Sequence, residues 1–227
     1  MLDRFLFSLG SGLCHQLPER SFIFGGIQLP LCARCTGIYV GFFFAFIALV
    51  VMYWRAPRRG MLSKFYYVSL VILGLPLVFD GLSSYLGYRP TTNVIRLFSG
   101  AAFGSLLAVP IFYIICDALL KHASSQKILG DWPTRIAWYA ITPLTYVFIM
   151  ALGPLFPFGM SLFLGVCIVV VFSLTALALI ALIPHFERSV DSVRSAVMPV
   201  LLSLVGGSLL LAITWGLQTW IHNIAGI

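Results

Sequence analysis

Six apolar stretches, each long enough to cross a lipid bilayer, leave this chain little choice of fold. They cover residues 33–54, 65–86, 92–120, 135–152, 160–183 and 196–220. A helix needs about 20 mostly apolar residues to span hydrocarbon, and there it satisfies its own backbone without water. Only 9% of the 227 residues are charged and 60% are hydrophobic, whereas soluble domains carry about 25% charged residues. The expectation is an all-α, polytopic membrane bundle forming a single domain. Residues 1–32 would be an N-terminal segment packed on one membrane face, and residues 33–227 the six-span bundle. Leu2, Phe5, Leu6 and Leu9 suit a short amphipathic helix on the membrane surface. This patch is too short for a secretory leader and lacks its small-residue cleavage site.

Tyr53, Trp54, Tyr66, Tyr67, Trp132, Trp138 and Trp220 fall near span ends, as interfacial aromatics do. The net charge of +7 does not point to nucleic acid, because the basic residues sit at the ends of apolar segments. Arg55, Arg58, Arg59, Lys64, Lys121, Lys127, Arg135, Arg188 and Arg194 lie in the first, third and fifth loops. Arg4, Arg20, Arg34, Arg89 and Arg96 complete the 14 Lys and Arg. Positive residues accumulate on the cytoplasmic side, so both termini are expected outside the cytoplasm of a multi-pass cell-membrane protein. In either orientation, six spans put the N-terminal segment and the loop between spans two and three on one side.

That shared side carries most of the chemistry. Cys14-His15 is followed by Cys32-Ala33-Arg34-Cys35 at the start of the first span. Residues i and i+3 of a helix share a face, and a helix N-terminus stabilises thiolate. Arg34 adds a positive charge beside both sulfurs. Cys14, Cys32, Cys35 and His15 supply the ligand types of a Cys3His zinc site. Because Cys14 and His15 are adjacent, three cysteines with His15 just outside them is a fair variant. Zinc is the expected metal and iron the alternative. An iron–sulfur cluster wants four cysteines, and covalent haem wants a histidine where Thr36 stands. The competing readings are a thiol–disulfide redox pair at Cys32 and Cys35 resolved by Cys14, and a plain disulfide. Cys116 and Cys167 lie mid-span and read as packing residues.

The second constellation is Asp80, Arg89, Asn93 and Arg96. A carboxylate inside a span is costly and marks function by default. Asn93, Arg96, Gly100 and Gly104 recur at helical spacing and form one stripe, with glycines for close helix approach. Gly37 and Gly41 read as a packing face in the same way. The arginines suit a phosphate or carboxylate, with Asp80 as acid, base or metal-side partner. The bland alternative is an Asp80–Arg96 ion pair locking two helices.

The run Cys14-His15-Gln16, Pro18, Arg20-Ser21, Gly26 and Pro30-Leu31-Cys32-Ala33-Arg34-Cys35-Thr36-Gly37 closely resembles the hallmark of a bacterial and archaeal membrane-protein family known as domain of unknown function 2085. Asp80-Gly81, Gly87, Arg89, Asn93, Arg96, Gly100 and Gly104 resemble its second block. This resemblance covers residues 14–104 and implies a shared membrane topology and site, not a reaction. The order acid, Arg, Asn, Gly, Gly is also similar to that of VanZ-like membrane proteins, a hint of envelope lipid chemistry. The leading expectation is a metal-binding membrane protein with catalytic candidates Asp80, Arg89, Asn93 and Arg96. An anionic lipid or isoprenoid phosphate would be its ligand. The alternatives are the redox protein and a transporter or interaction scaffold with a structural metal or disulfide.

Overall fold

The computed structural model describes residues 2–86 and 91–225. Among them are six helices long and apolar enough to cross a membrane: 33–53, 64–84, 93–119, 132–155, 157–181 and 193–221. The fourth span is longer than the apolar run alone indicates. It combines α5 (Trp132–Tyr139) and α6 (Ile141–Leu155). The interval 153–159 left between the fourth and fifth apolar runs shrinks to Phe156, with α7 (Pro157–Ala181) starting on a proline, the residue best suited to a first helical position.

Before the bundle comes α1 (Leu2–Ser11), as its apolar pattern foretells. Between α1 and the first span lies a hairpin of β1 (Ser21–Phe24) and β2 (Ile27–Cys32). Its turn is Gly25-Gly26, both left-handed (φ 54° and 79°), the backbone that two-residue hairpin turns demand. The hairpin packs onto the bundle through Phe24, whose ring leaves no room for a side chain at Gly153.

At the centre, α2 (Ala33–Tyr53) and α4 (Asn93–Ile114) run against each other at backbone contact. A Cβ at Gly37 or Gly41 would strike the Leu97 or Ala101 carbonyl, and one at Gly100 or Gly104 the Arg34 or Ile38 carbonyl. Two small-xxx-small stripes thus interlock, the close-packing mode of membrane helices. In contrast, α3 (Lys64–Tyr85) and α8 (Val193–Ala225) expose most of their apolar surface, including Val71, Leu75, Phe79, Leu201 and Val205. Such faces require hydrocarbon around them, so the protein contacts the bilayer along these helices.

The face opposite the hairpin is fastened by its own small sheet, β3 (Arg58–Gly60) parallel to β4 (Ser124–Lys127). Arg58 donates to the Lys127 carbonyl at 3.0 Å and to Asp131 at 2.7 Å. Arg135 donates to the carbonyls of Leu129 and Gly130. These loop arginines therefore have structural partners of their own. Arg58 holds the Asp131 carboxyl below its ordinary value. A depressed carboxyl stabilises the fold above its unfolded value, and that contribution disappears as pH falls through the folded one. Because Asp131 is largely exposed, solvent screening leaves at most a few tenths of a kcal/mol. The thermal midpoint of Asp131→Asn should match wild type at pH 3 and fall slightly below it at pH 7. A large deficit at pH 3 would contradict the ion-pair origin.

Candidate metal centre

The three N-terminal cysteines converge because the hairpin folds back. Cys32 ends β2 and is the N-cap of α2, and Cys35 follows in the first turn. Cys14 arrives from the other side. The amides of Leu13 and Cys14 both close on the Gly10 carbonyl at 3.0 Å, which ends α1 and turns the chain inward. The Cys32 amide donates to the Cys14 sulfur at 3.3 Å. The sulfurs of Cys14, Cys32 and Cys35 all lie within 4.8 Å of one another, and each is a free thiol. Hydrogen bonds from Cys14 and then Cys35 hold the Cys32 thiol well below its ordinary range, as expected of a sulfur at a helix N-terminus.

Gln16 maintains this convergence. Its backbone is left-handed (φ 52°), and its buried side-chain amide donates to the carbonyls of Phe7 at 2.7 Å and Pro30 at 2.8 Å. Its own carbonyl accepts from the Gln28 amide at 2.7 Å. One side chain thus ties α1 to β2 around Cys14. Gln16→Ala would leave buried carbonyls without donors, at about 1–3 kcal/mol each. A fall of several degrees in the thermal midpoint is expected, with faster modification of Cys14 by thiol reagents. An unchanged midpoint would rule out the clamp.

Toward the bundle the cysteines meet an apolar wall that includes Leu9, Leu13, Leu31, Ile168 and Phe172. Toward α3 and α4 they meet charge. Arg34, between Cys32 and Cys35, forms a two-nitrogen ion pair with the Asp80 carboxylate, with Nε at 3.1 Å. The Asp80 side chain is 5% exposed, and its other oxygen has no hydrogen-bond partner among the described residues. Arg96 is buried on the adjoining turn of α4 and donates to Asn93 Oδ1 at 3.0 Å and to Ser84 Oγ at 3.4 Å. Asn93 donates in turn to the Ser21 carbonyl of the hairpin at 3.1 Å. Arg20, Arg34 and Asp80 all lie within electrostatic reach of Arg96.

Asp80 pairs with Arg34, where the ion-pair alternative had Arg96. The acid therefore attaches α3 directly to the turn bearing two of the cysteines. Asp80→Asn would leave Arg34 uncompensated, at about 3 kcal/mol for a mostly buried partner. The expected sign is a lower thermal midpoint. A wild-type midpoint would show the pair to be idle.

His15 stands next to Cys14 on the exposed side of its loop, outside the set of three close sulfurs. Arg89 lies outside the described residues. Cys116 and Cys167 are buried in apolar clusters away from the triad. The roles of Gln16, Ser21 and Arg34 as fasteners were not evident from their types. The one local signal was Gly25-Gly26 between short apolar runs, which marks a hairpin and thereby the return of Cys32 toward Cys14.

The family described as predicted membrane protein (DUF2085) matches residues 14–110, which hold every residue of the triad and the polar cluster. An uncharacterized protein of Methanothermobacter thermautotrophicus is 36% identical over 110 residues, covering 48% of this chain and 88% of that one. An uncharacterized protein of Methanocaldococcus jannaschii is 32% identical over 110 residues, 48% of this chain and 66% of its own length. No solved structure matches the chain at a significant level. With nearly the whole of the Methanothermobacter protein matched at this identity, the chain belongs to the DUF2085 family of predicted membrane proteins.

Proposed function

We propose that this is a membrane metal protein in which Cys14, Cys32 and Cys35 hold one thiophilic ion, zinc before iron, beside a pocket that takes an anionic ligand. The observation that carries the reading is three free sulfurs within 4.8 Å of one another. Zinc–sulfur bonds of about 2.3 Å in a tetrahedron set sulfurs about 3.8 Å apart, so a small contraction suffices. When bound, a zinc ion with three protein ligands supplies a Lewis-acid centre with one open position.

The chain's own residues supply the rest. Arg34 compensates the negative charge that three thiolates bring. Arg96 and Arg20 give this face more positive charge than Asp80 neutralises, which suits the headgroup of an anionic lipid or isoprenoid phosphate. Asn93 orients Arg96, and Asp80, with one oxygen that has no hydrogen-bond partner among the described residues, is the group able to accept a proton. The bias of Lys and Arg toward the β3–β4 face favours termini outside the cytoplasm, and a C-terminal reporter active only in the cytoplasm would reverse that orientation.

The test is metal per chain in anaerobically purified protein, with thiols counted on the same sample. About one zinc or iron per chain is expected, with all five cysteines recovered as thiols after chelation and denaturation. No metal with two thiols missing would replace this reading with a thiol–disulfide protein. No metal with every thiol free would leave neither.

A further inference from the structure

The cysteine triad has three surroundings, and they differ in what they admit. Its bundle side is hydrocarbon, lined by Leu9, Leu31, Ile168 and Phe172, and a hydrated cation does not cross such a wall. Its α3–α4 side holds the Arg34–Asp80 pair and Arg96, with Arg20 in electrostatic reach; the arginines there outnumber the one carboxylate, and net like charge turns a cation away. Its third side is a cleft of about 290 Å³ between the end of α1 and the last turns of α8. Cys14, His15, Gln16, Trp215, Gln218 and Thr219 line it. These lining residues include an imidazole, an indole and two carboxamides but no Lys or Arg. The cleft is built, not incidental, because Gly12 lies against the Trp215 backbone so closely that a Cβ there would be 2.8 Å from Trp215 Cα.

We infer that this cleft is the port through which a divalent thiophilic cation reaches the triad, with His15 as its first ligand. Imidazole is the commonest protein ligand for such ions. His15 and Cys14 are neighbours in the chain and share the cleft wall, so an ion held at the imidazole has its next ligand within one residue. A sulfur that coordinates from its thiol form releases that proton to water through the same opening. The inference rests on the metal reading above, and it assigns a role to α8, which lies outside the residues matched by the family.

Uptake of cobalt(II) by the reduced, metal-free full chain tests it, followed in stopped flow by the thiolate-to-cobalt absorption band. Gln218→Trp and Thr219→Trp narrow the port without touching a ligand. Each is expected to slow uptake about tenfold or more while the final cobalt per chain stays at the wild-type value. His15→Ala is expected to slow it as well. Ser8→Trp, which borders neighbouring hollows that contain no cysteine, should leave the rate unchanged. As a second readout, a small water-soluble thiol reagent should modify Cys14 of the metal-free protein more slowly in Gln218→Trp than in wild type. Wild-type uptake and labelling rates in both tryptophan variants, with full cobalt at the end point, would overturn the port and leave the metal site standing. No cobalt band in the wild-type chain would overturn the metal reading itself.

Discussion

Replacing Cys32 with serine is expected to take bound metal from about one ion per chain to near none. Cys32 touches both other members of the triad, its amide bonded to the Cys14 sulfur and its thiol held low by Cys14 and Cys35. Serine keeps the shape but offers a hydroxyl that does not ionise near neutral pH, and thiolate is the ligand form. Metal bound through thiolates is worth on the order of 10 kcal/mol, so losing one of three such ligands is decisive. Cys116→Ala, at a buried thiol far from the triad, should retain the ion. Elemental analysis of both variants purified alongside wild type is the measurement. Full metal in Cys32→Ser would exclude this residue as a ligand.

The second large effect is expected at Gly100. Its ideal Cβ would sit 2.2 Å from the Arg34 carbonyl oxygen, backbone against backbone, with no flexible side chain to move aside. Overpacking in a core usually costs about 1–3 kcal/mol. Here Gly100→Leu must separate α2 from α4, so about 3 kcal/mol or more is expected. Because Arg34 lies at that contact, the variant should lose metal along with its thermal midpoint. Gly74→Leu is the matched control, since nothing lies within 4 Å of a Cβ at that position. Thermal unfolding in detergent separates the two, and a wild-type midpoint for Gly100→Leu would contradict the interlocked glycines.

Cys32 and Gly100 belong to layers of this protein that are local to different degrees. The number of spans and their type follow from residue chemistry alone, because hydrocarbon admits only backbones that bond to themselves. The packing face of α4 was equally legible, since Asn93, Arg96, Gly100 and Gly104 repeat at helical spacing. So were the cysteines as a group, because six spans bring both ends of the relevant loops to one face. Hydrophobic period does not report how two helices slide and rotate against each other. That is set by side-chain volume at the contact, and Asp80 meets Arg34 where the ion-pair alternative had Arg96.

Residue chemistry along the chain is enough for a six-span membrane protein with Cys14, Cys32, Cys35, Asp80, Asn93 and Arg96 toward one face. That three sulfurs meet, that Gln16 fastens them, and that α8 walls a cleft beside Cys14 emerges only from the folded chain. Spans arise from transfer energies that each residue carries with it. The site arises from contacts between residues up to about 200 positions apart, from Gly12 to Trp215. No local pattern encodes such distances; they exist only once the chain has closed on itself.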